Sequence, residues 1–442
     1  MAKPVVAIVG RPNVGKSTLF NKIAGERISI VEDTPGVTRD RIYAEGEWCG
    51  KTFTLIDTGG IEPHKDDPIL KQMVLQANIA IEMADVIVFM TDVRDGLTAA
   101  DEEVAAMLSR SGKPLVLACN KADNVSQDTY AHFEFYNLGV GDPIAISSTH
   151  GLGVGDLLDE IVSKMEGLDL EEEPDDSIKV AVIGKPNAGK SSLINRILGE
   201  ERLIVSDVPG TTRDAINARY EKEGTVYTFV DTAGMRKKSK VNDKIEKYSI
   251  LRAYQAIEKA DVCLMVIDGT AGVTEQDTKV AGYAHDQGKG IIVVINKWDI
   301  VEKETGTMNQ YKKKVLEGLP FMMYAPCMFI SAKTGARVEK LFDMIRHVHE
   351  QQNLRIKTGM LNDILAEATA KVQPPTDKGR RLKILYGTQV DVCPPTFVLF
   401  VNDTRLMHFS YERYIENQLR AVFGFEGTSI RFFVRERNGE KK

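Results

Sequence analysis

Short apolar runs alternate with polar, helix-periodic stretches through most of the chain. Val5 to Val9, Phe53 to Ile56, Val86 to Met90, Leu115 to Cys119 and Ile144 to Ile146 each read as a buried strand. Between two of them, Ala99 to Ser111 sets Val104, Met107 and Leu108 at helical spacing, which marks a core-facing stripe and not a site. Strands alternating with helices predict an α/β fold, a mostly parallel sheet with helices on both faces.

The same pattern then returns. Val180 to Ile183 repeat the opening run, and Gly10 and Gly184, Thr38 and Thr212, and Asp57 and Asp231 are each separated by 174 residues. The offset lengthens to 176 between Asn120 and Asn296 and to 184 between Ser147 and Ser331, as longer surface loops in a second copy would make it. A whole domain is therefore duplicated. After Leu354 the pattern changes. Leu361, Ile364, Leu365 and Ala368 mark a helix, Leu382 to Leu385 and Phe397 to Val401 two strands, Tyr411, Tyr414, Ile415, Leu419 and Val422 a second helix, and Ile430, Phe432 and Val434 a last strand. The expected domains are 1–167, 178–353 and a small αββαβ domain at 354–442. Between the first two, LDLEEEPDDS (168–177) gathers acids around Pro174 and reads as a solvated linker, or else as an acidic tail for a basic partner.

Length agrees with this division, since 442 residues at about 150 per domain give about three domains. A composition of 43% hydrophobic and 27% charged residues is that of a soluble globular chain. No apolar run approaches the roughly 18 to 20 residues of a membrane span, and the N-terminus runs straight into a strand without a signal-peptide layout. No membrane association and a cytoplasmic location are expected. Cys49, Cys119, Cys263, Cys327 and Cys393 are scattered without a CxxC pair, which fits reduced thiols better than disulfides or a zinc site. Charge is uneven: the net −6 divides into +5 from Leu354 onward, where 15 Lys and Arg meet 10 Asp and Glu, and −11 in the rest. A mildly basic C-terminal piece follows an acidic body.

The chemistry lies where the strands end. GRPNVGKS, comprising Gly10, Arg11, Pro12, Asn13, Val14, Gly15, Lys16 and Ser17, and its copy Gly184, Lys185, Pro186, Asn187, Ala188, Gly189, Lys190 and Ser191, both fit the P-loop pattern, with Thr18 and Ser192 next in line. Such a loop converges backbone N–H groups on phosphate oxygens, adds the positive end of a helix, and brings a lysine to the β/γ-phosphates. Ser17 and Ser191 are then candidate Mg²⁺ ligands. Thr38 in PGVTRD and Thr212 in PGTTRD stand where a loop hydroxyl reaches Mg²⁺ and the γ-phosphate, although Thr211 competes with Thr212 and a turn role is the plainer alternative. Asp57, Thr58, Gly59 and Gly60, and Asp231, Thr232, Ala233 and Gly234, end apolar strands; there a carboxylate holds Mg²⁺ through water and the last glycine N–H meets the γ-phosphate.

The most selective element is the last. In NKAD (Asn120, Lys121, Asp123) and NKWD (Asn296, Lys297, Asp299) an ionised carboxylate accepts both N–H donors on guanine's edge, a pair that adenine lacks. Lys121 and Lys297 cover the base with their stems, and backbone N–H groups near Ser148 in Ser147-Ser148-Thr149 and Ala332 in Ser331-Ala332-Lys333 are candidates to support it.

On these motifs the chain resembles a translation-factor-class P-loop GTPase with two tandem G domains, the bacterial family called EngA or Der, along essentially its whole length. The resemblance implies GTP/GDP and Mg²⁺ as ligands, slow GTP hydrolysis used as a switch, a C-terminal domain of KH-like topology, and a cytoplasmic monomer that contacts the large ribosomal subunit and its rRNA transiently during assembly. Ile61 and Met235 occupy the position where many GTPases carry a water-orienting glutamine, and neither side chain hydrogen-bonds water. Related hydrophobic-substituted families use a monovalent cation instead, so the resemblance implies K⁺ at Asn13 and Asn187, whose other reading is simply to shape the loop. Arg236, Lys237, Lys238 and Lys240 after the second DxxG, where the first copy has Glu62, Asp66 and Asp67, are either a solvated face or a nucleotide-gated basic loop. Gly424-Phe425-Glu426-Gly427 matches the GXXG of RNA-binding KH domains in the wrong place, before a strand. RNA contact is expected instead from Lys378, Arg380, Arg381, Lys383, Arg431, Arg435 and Arg437 on phosphates. A second reading is a scaffold or regulatory module in which one G domain only binds nucleotide and the partner is not ribosomal.

Overall fold

The computed structural model describes residues 4–25, 43–60, 69–123, 131–166, 176–199, 218–232, 246–302, 304, 306–377 and 379–436. Thr38, Ile61, Thr212, Ala233, Gly234, Met235, the basic run 236–240, Lys378, Arg437 and most of the acidic linker lie outside them. Two compact units form, the main division falling between residues 175 and 176, with residues 246–252 of the second copy grouped with the first unit.

The first unit is built on β1 (Val5–Gly10), α1 (Lys16–Gly25), β2 (Tyr43–Trp48), β3 (Lys51–Asp57), α2 (Ile69–Met83), β4 (Val86–Asp92), α3 (Ala99–Arg110), β5 (Leu115–Asn120), β6 (Pro143–Ala145) and α4 (Val154–Glu166). The sheet order is β2-β3-β1-β4-β5-β6. All pairs are parallel except β2 with β3, an antiparallel edge hairpin. Every residue of β1 is buried because both faces are covered. Val5, Ala7 and Val9 join Met73, Ala77, Val104 and Leu108 on one side, while Val6 and Ile8 join Leu19, Phe20, Leu157 and Ile161 on the other.

In the second unit the order repeats with every strand advanced by six. Its elements are β7 (Ile178–Ile183), α5 (Lys190–Leu198), β8 (Ala218–Lys222), β9 (Thr225–Phe229), α6 (Glu246–Lys259), β10 (Val262–Asp268), α7 (Glu275–Asp286), β11 (Gly290–Asn296), α8 (Thr307–Glu317), β12 (Cys327–Phe329) and α9 (Lys340–Gln352). From the hairpin edge the sheet reads β8-β9-β7-β10-β11-β12, so the two copies share one topology. The five cysteines are unpaired, and burial pushes the Cys119 and Cys263 thiols up to about 12, the behaviour of core filler.

The same unit contains a further α+β fold of α10 (Thr358–Lys371), the ribbon β13 (Thr376–Asp377) and β14 (Arg380–Arg381), β15 (Ile384–Asp391), β16 (Thr396–Val401), α11 (Phe409–Phe423) and β17 (Arg431–Glu436). It keeps its own core around Leu361, Leu365, Phe397, Leu399, Ile415 and Leu419. One strand differs from the sequence reading. Leu382 to Leu385 reads as its body, yet the strand starts at Ile384 and runs to Asp391, with the polar Thr388, Gln389 and Asp391 in its second half. Gly387 lies in its middle because a side chain there would meet Leu365 Cδ1 at 2.7 Å.

The GFEG segment has a structural use. Gly427 N–H donates to Tyr324 O (2.9 Å) and Gly427 O accepts from Ile291 N–H (2.7 Å), so its peptide fills the ladder beside β11. Phe425 N–H donates to Gln351 Oε1 at 2.6 Å, and a side chain on Gly427 would strike Val348. The segment therefore seats the C-terminal fold on the second sheet. His285, at the end of α7, lies at this seam. Its Nδ1 is 2.7 Å from the Tyr324 hydroxyl, and burial together with Arg431 and Arg420 lowers its pKa to about 4. The neutral ring is the folded form, so stability is full above pH ~6.5 and falls as the unfolded chain takes up a proton that the folded one refuses, by roughly 3 kcal/mol at pH ~4. Urea midpoints from pH 7 to 4 are expected to fall less steeply in His285→Gln than in the parent; equal slopes would sink this assignment.

Candidate nucleotide sites

At the C-terminal end of β1 the chain must turn sharply and begin a helix, and the two P-loop glycines are dictated by what crosses there. A side chain on Gly10 would clash with Met90 O, and one on Gly184 with Val266 O, the matching residues of β4 and β10. Gly15 and Gly189, both at positive φ, leave room for the amides of Asn120 and Asn296. Asn13 (φ 64°) and Asn187 (φ 62°) are also left-handed, a conformation asparagine tolerates better than most residues, and both are exposed at the tip of the loop. Val14 and Ala188 point into the core.

Lys16 is 5% exposed and donates to Gly10 O (2.8 Å) and Arg11 O (2.7 Å); Lys190 repeats this with Gly184 O and Lys185 O, both at 2.7 Å. Burial lowers each lysine to about 8, opposed by Asp57 in the first copy and by Asp277 in the second. A phosphate reaching this loop meets a cation already folded back over it, at the N-terminus of α1 or α5.

Ser17 Oγ donates to Asp57 Oδ2 at 2.6 Å, so two of the three first-copy Mg²⁺ ligands expected from sequence converge, the third, Thr38, lying outside the described residues. A hydroxyl and a carboxylate fit a hard cation that takes its other oxygens from phosphate and water. Gly59 N–H donates to Asp57 Oδ1 at 2.8 Å, and Gly60 closes the turn that follows. The side chain of Thr58 is fully buried and its hydroxyl donates to Ile8 O at 2.5 Å, pinning the turn to β1. Thr232 is buried likewise, at 3% exposure. Asp231 is placed with φ 55°, and Ser191 and Ser192 open α5 exposed, as Thr18 does in α1.

Asn120 joins three motifs. Its amide N–H donates to Val14 O (2.6 Å), and its Oδ1 accepts from the N–H (2.9 Å) and hydroxyl (3.0 Å) of Ser148. Asn296 does the same with Ala188 O (3.0 Å) and Ala332 N–H (2.9 Å). The N–H groups read as base supports thus hold the asparagines here. Lys121 and Lys297 take positive φ and turn off the strand, swinging Asp123 and Asp299 outward. Asp123 accepts from Ser147 Oγ and from Arg94, each at 2.5 Å, and chiefly the serine, with Arg94 adding, holds it below the usual carboxylate range. Trp298, the residue of NKWD that differs from NKAD, is 7% exposed against Phe329 and Tyr311, which stiffens the NKWD turn.

The sequence reading passed over the loop between β4 and α3. Asp92 pairs with Lys121, Arg94 with Asp123, and Asp95 and Asp101 with Arg11, so this loop ties the NKAD turn to the P-loop. In the second copy Asp268 pairs with Lys297 at 2.6 Å; burial raises its pKa, but Lys297 and Thr270 outweigh that and bring it to about 2. A signal was available: Asp92, Gly96, Thr98 and Asp101 recur as Asp268, Gly272, Thr274 and Asp277, all at the offset of 176 seen for Asn120 and Asn296.

Comparison with known proteins adds three findings. Residues 5–121 and 179–297 each match the family described as 50S ribosome-binding GTPase. Residues 355–435 match the KH-domain-like C-terminal family of EngA bacterial GTPase enzymes. A protein of Acetivibrio thermocellus named GTPase Der is 63% identical over 440 residues, and one of the same name from Ruminiclostridium cellulolyticum is 64% identical over 440, each alignment covering 100% of both chains.

Proposed function

The chain belongs to the EngA, or Der, family of GTP-hydrolysing proteins, and from this membership we propose that it is a two-site switch whose nucleotide states gate contact with the large ribosomal subunit during its assembly. It binds GTP and GDP with Mg²⁺, hydrolyses GTP and associates with the ribosome. The observation that supports the reading is the pair of asparagines, each bonded both to a P-loop carbonyl and to the motif after β6 or β12, which joins each P-loop to its NKxD turn as one nucleotide spanning the two would require.

In each site the P-loop amides and lysine hold the β/γ-phosphates, the serine and aspartate hold Mg²⁺, and the NKxD carboxylate selects guanine. K⁺ held at Asn13 or Asn187 would supply positive charge to offset the negative charge that develops on the phosphates. K⁺ fits the exposed amide oxygens of Asn13 and Asn187, and its role would replace the missing glutamine. Asn13→Gly keeps the left-handed backbone and removes that ligand, so hydrolysis at the first site should be faster in K⁺ than in Na⁺ only in the parent. Equal rates in both salts end the cation reading.

RNA contact would come through the exposed arginines of the C-terminal fold, including Arg380, Arg381 and Arg435. The protein would act in the cytoplasm as a monomer. Sedimentation with ribosomal subunits in GDP, GTP and a non-hydrolysable analogue tests the whole: large-subunit binding that differs between nucleotide states is expected, and none in any state overturns it.

A further inference from the structure

We propose that Asp101 and Asp277 are positioning residues of the two sites, each bracing the second residue of its P-loop from the N-terminus of α3 or α7 so that the P-loop lysine is held over the phosphates. The inference rests on the reading of both loops as phosphate sites.

Both carboxylates are fully buried. Each is the third residue of its helix and closes a capping box. Asp101 Oδ2 accepts from Thr98 N–H (3.2 Å) and Oγ1 (2.6 Å), and Asp277 Oδ2 from Thr274 N–H (3.0 Å) and Oγ1 (2.7 Å). Capping is a surface task that exposed acids perform well, and a fully buried carboxylate is costly unless it is paired. The other oxygen shows what the burial serves. Asp101 Oδ1 accepts from Arg11 Nε at 3.1 Å, and Asp277 Oδ1 from Lys185 N–H at 3.2 Å.

Arg11 and Lys185 are the residues whose carbonyls accept from Lys16 and Lys190, each at 2.7 Å. The linkage therefore runs from buried aspartate to second loop residue to lysine. It is made through a side chain in one copy and through the backbone in the other, so the buried acid reaches the same loop residue in both copies although the group it holds differs. A charged anchor inside the protein keeps the loop from drifting, and misplacement of a reacting group by about 1 Å costs up to roughly 10²-fold in rate.

The test uses the full chain, with the first site followed by single-turnover hydrolysis in a Lys190→Ala background. Asp101→Asn and Arg11→Ala are each expected to lower kcat roughly ten- to a hundredfold, with GTP affinity changed far less. The double variant should be no slower than the worse single one, because both break one linkage. Thr98→Ala, which removes the cap and leaves the brace, should lower the melting temperature and keep kcat. If Thr98→Ala slows hydrolysis as much as Asp101→Asn does, or if the Arg11 and Asp101 effects multiply, the carboxylate is a helix cap alone and the proposal is overturned. Should Asp101→Asn fail to fold, Arg11→Ala decides by itself: parental kcat refutes the brace. A background chain without any turnover would instead refute the underlying assignment of the loop.

Discussion

Lys16→Ala is expected to cut GTP hydrolysis at the first site by roughly 10²- to 10³-fold, and Lys190→Ala to do the same at the second. Lys16 is buried and Lys190 half-buried, and each lies within hydrogen-bond reach of two carbonyls of its own loop. Alanine removes the charge that meets the β/γ-phosphates. It also leaves Gly10 O and Arg11 O without their donor, at about 1–3 kcal/mol for a buried acceptor, so a lower melting temperature should accompany the kinetic loss. Single-turnover rates of the two single variants and the double variant measure how turnover is shared between the sites. A double variant that hydrolyses GTP at the parental rate would remove both loops from the chemistry.

Asp123→Asn is expected to weaken guanine nucleotide binding at the first site by about 10²- to 10⁴-fold, the loss of two hydrogen bonds to an ionised acceptor. The side chain presents that acceptor because Ser147 and Arg94 already stabilise its charge. An amide offers one acceptor and one donor, which suits a base with N–H beside a carbonyl. Xanthosine diphosphate should therefore gain affinity where guanosine diphosphate loses it. Titration of both nucleotides against Asp123→Asn in the Lys190→Ala chain reads the exchange, and unchanged preference would show that another group reads the base.

Much of this was legible because strand-end motifs are local. A P-loop is one turn of backbone, and its glycines, lysine and serine lie in consecutive positions, so spacing alone implies the cradle. The parallel core strands were legible for a related reason, since burial on both faces makes them continuously apolar. The hairpin strand Tyr43–Trp48 was not, because YAEGEW mixes acids and glycine with aromatics as an edge strand does. The buried Asp101 and Asp277 were invisible for the opposite reason. An acid three residues after a threonine at a helix start reads as an ordinary exposed cap, and only the chain's three-dimensional closure brings Arg11 or Lys185 to its second oxygen. The inward turn of Thr58 was hidden in the same way: DTGG reads as one motif, but alternation along the strand end turns this side chain to Ile8.

The peptide of Gly427, lodged between Ile291 and Tyr324, bears on how such a chain could be reshuffled. A gene fusion that carried the second nucleotide fold away without its tail would leave the Ile291 amide and the face around Val348 open to water. The tail transplanted alone would lose the strand its GFEG turn leans on. As heritable parts, the second copy and the C-terminal fold travel together.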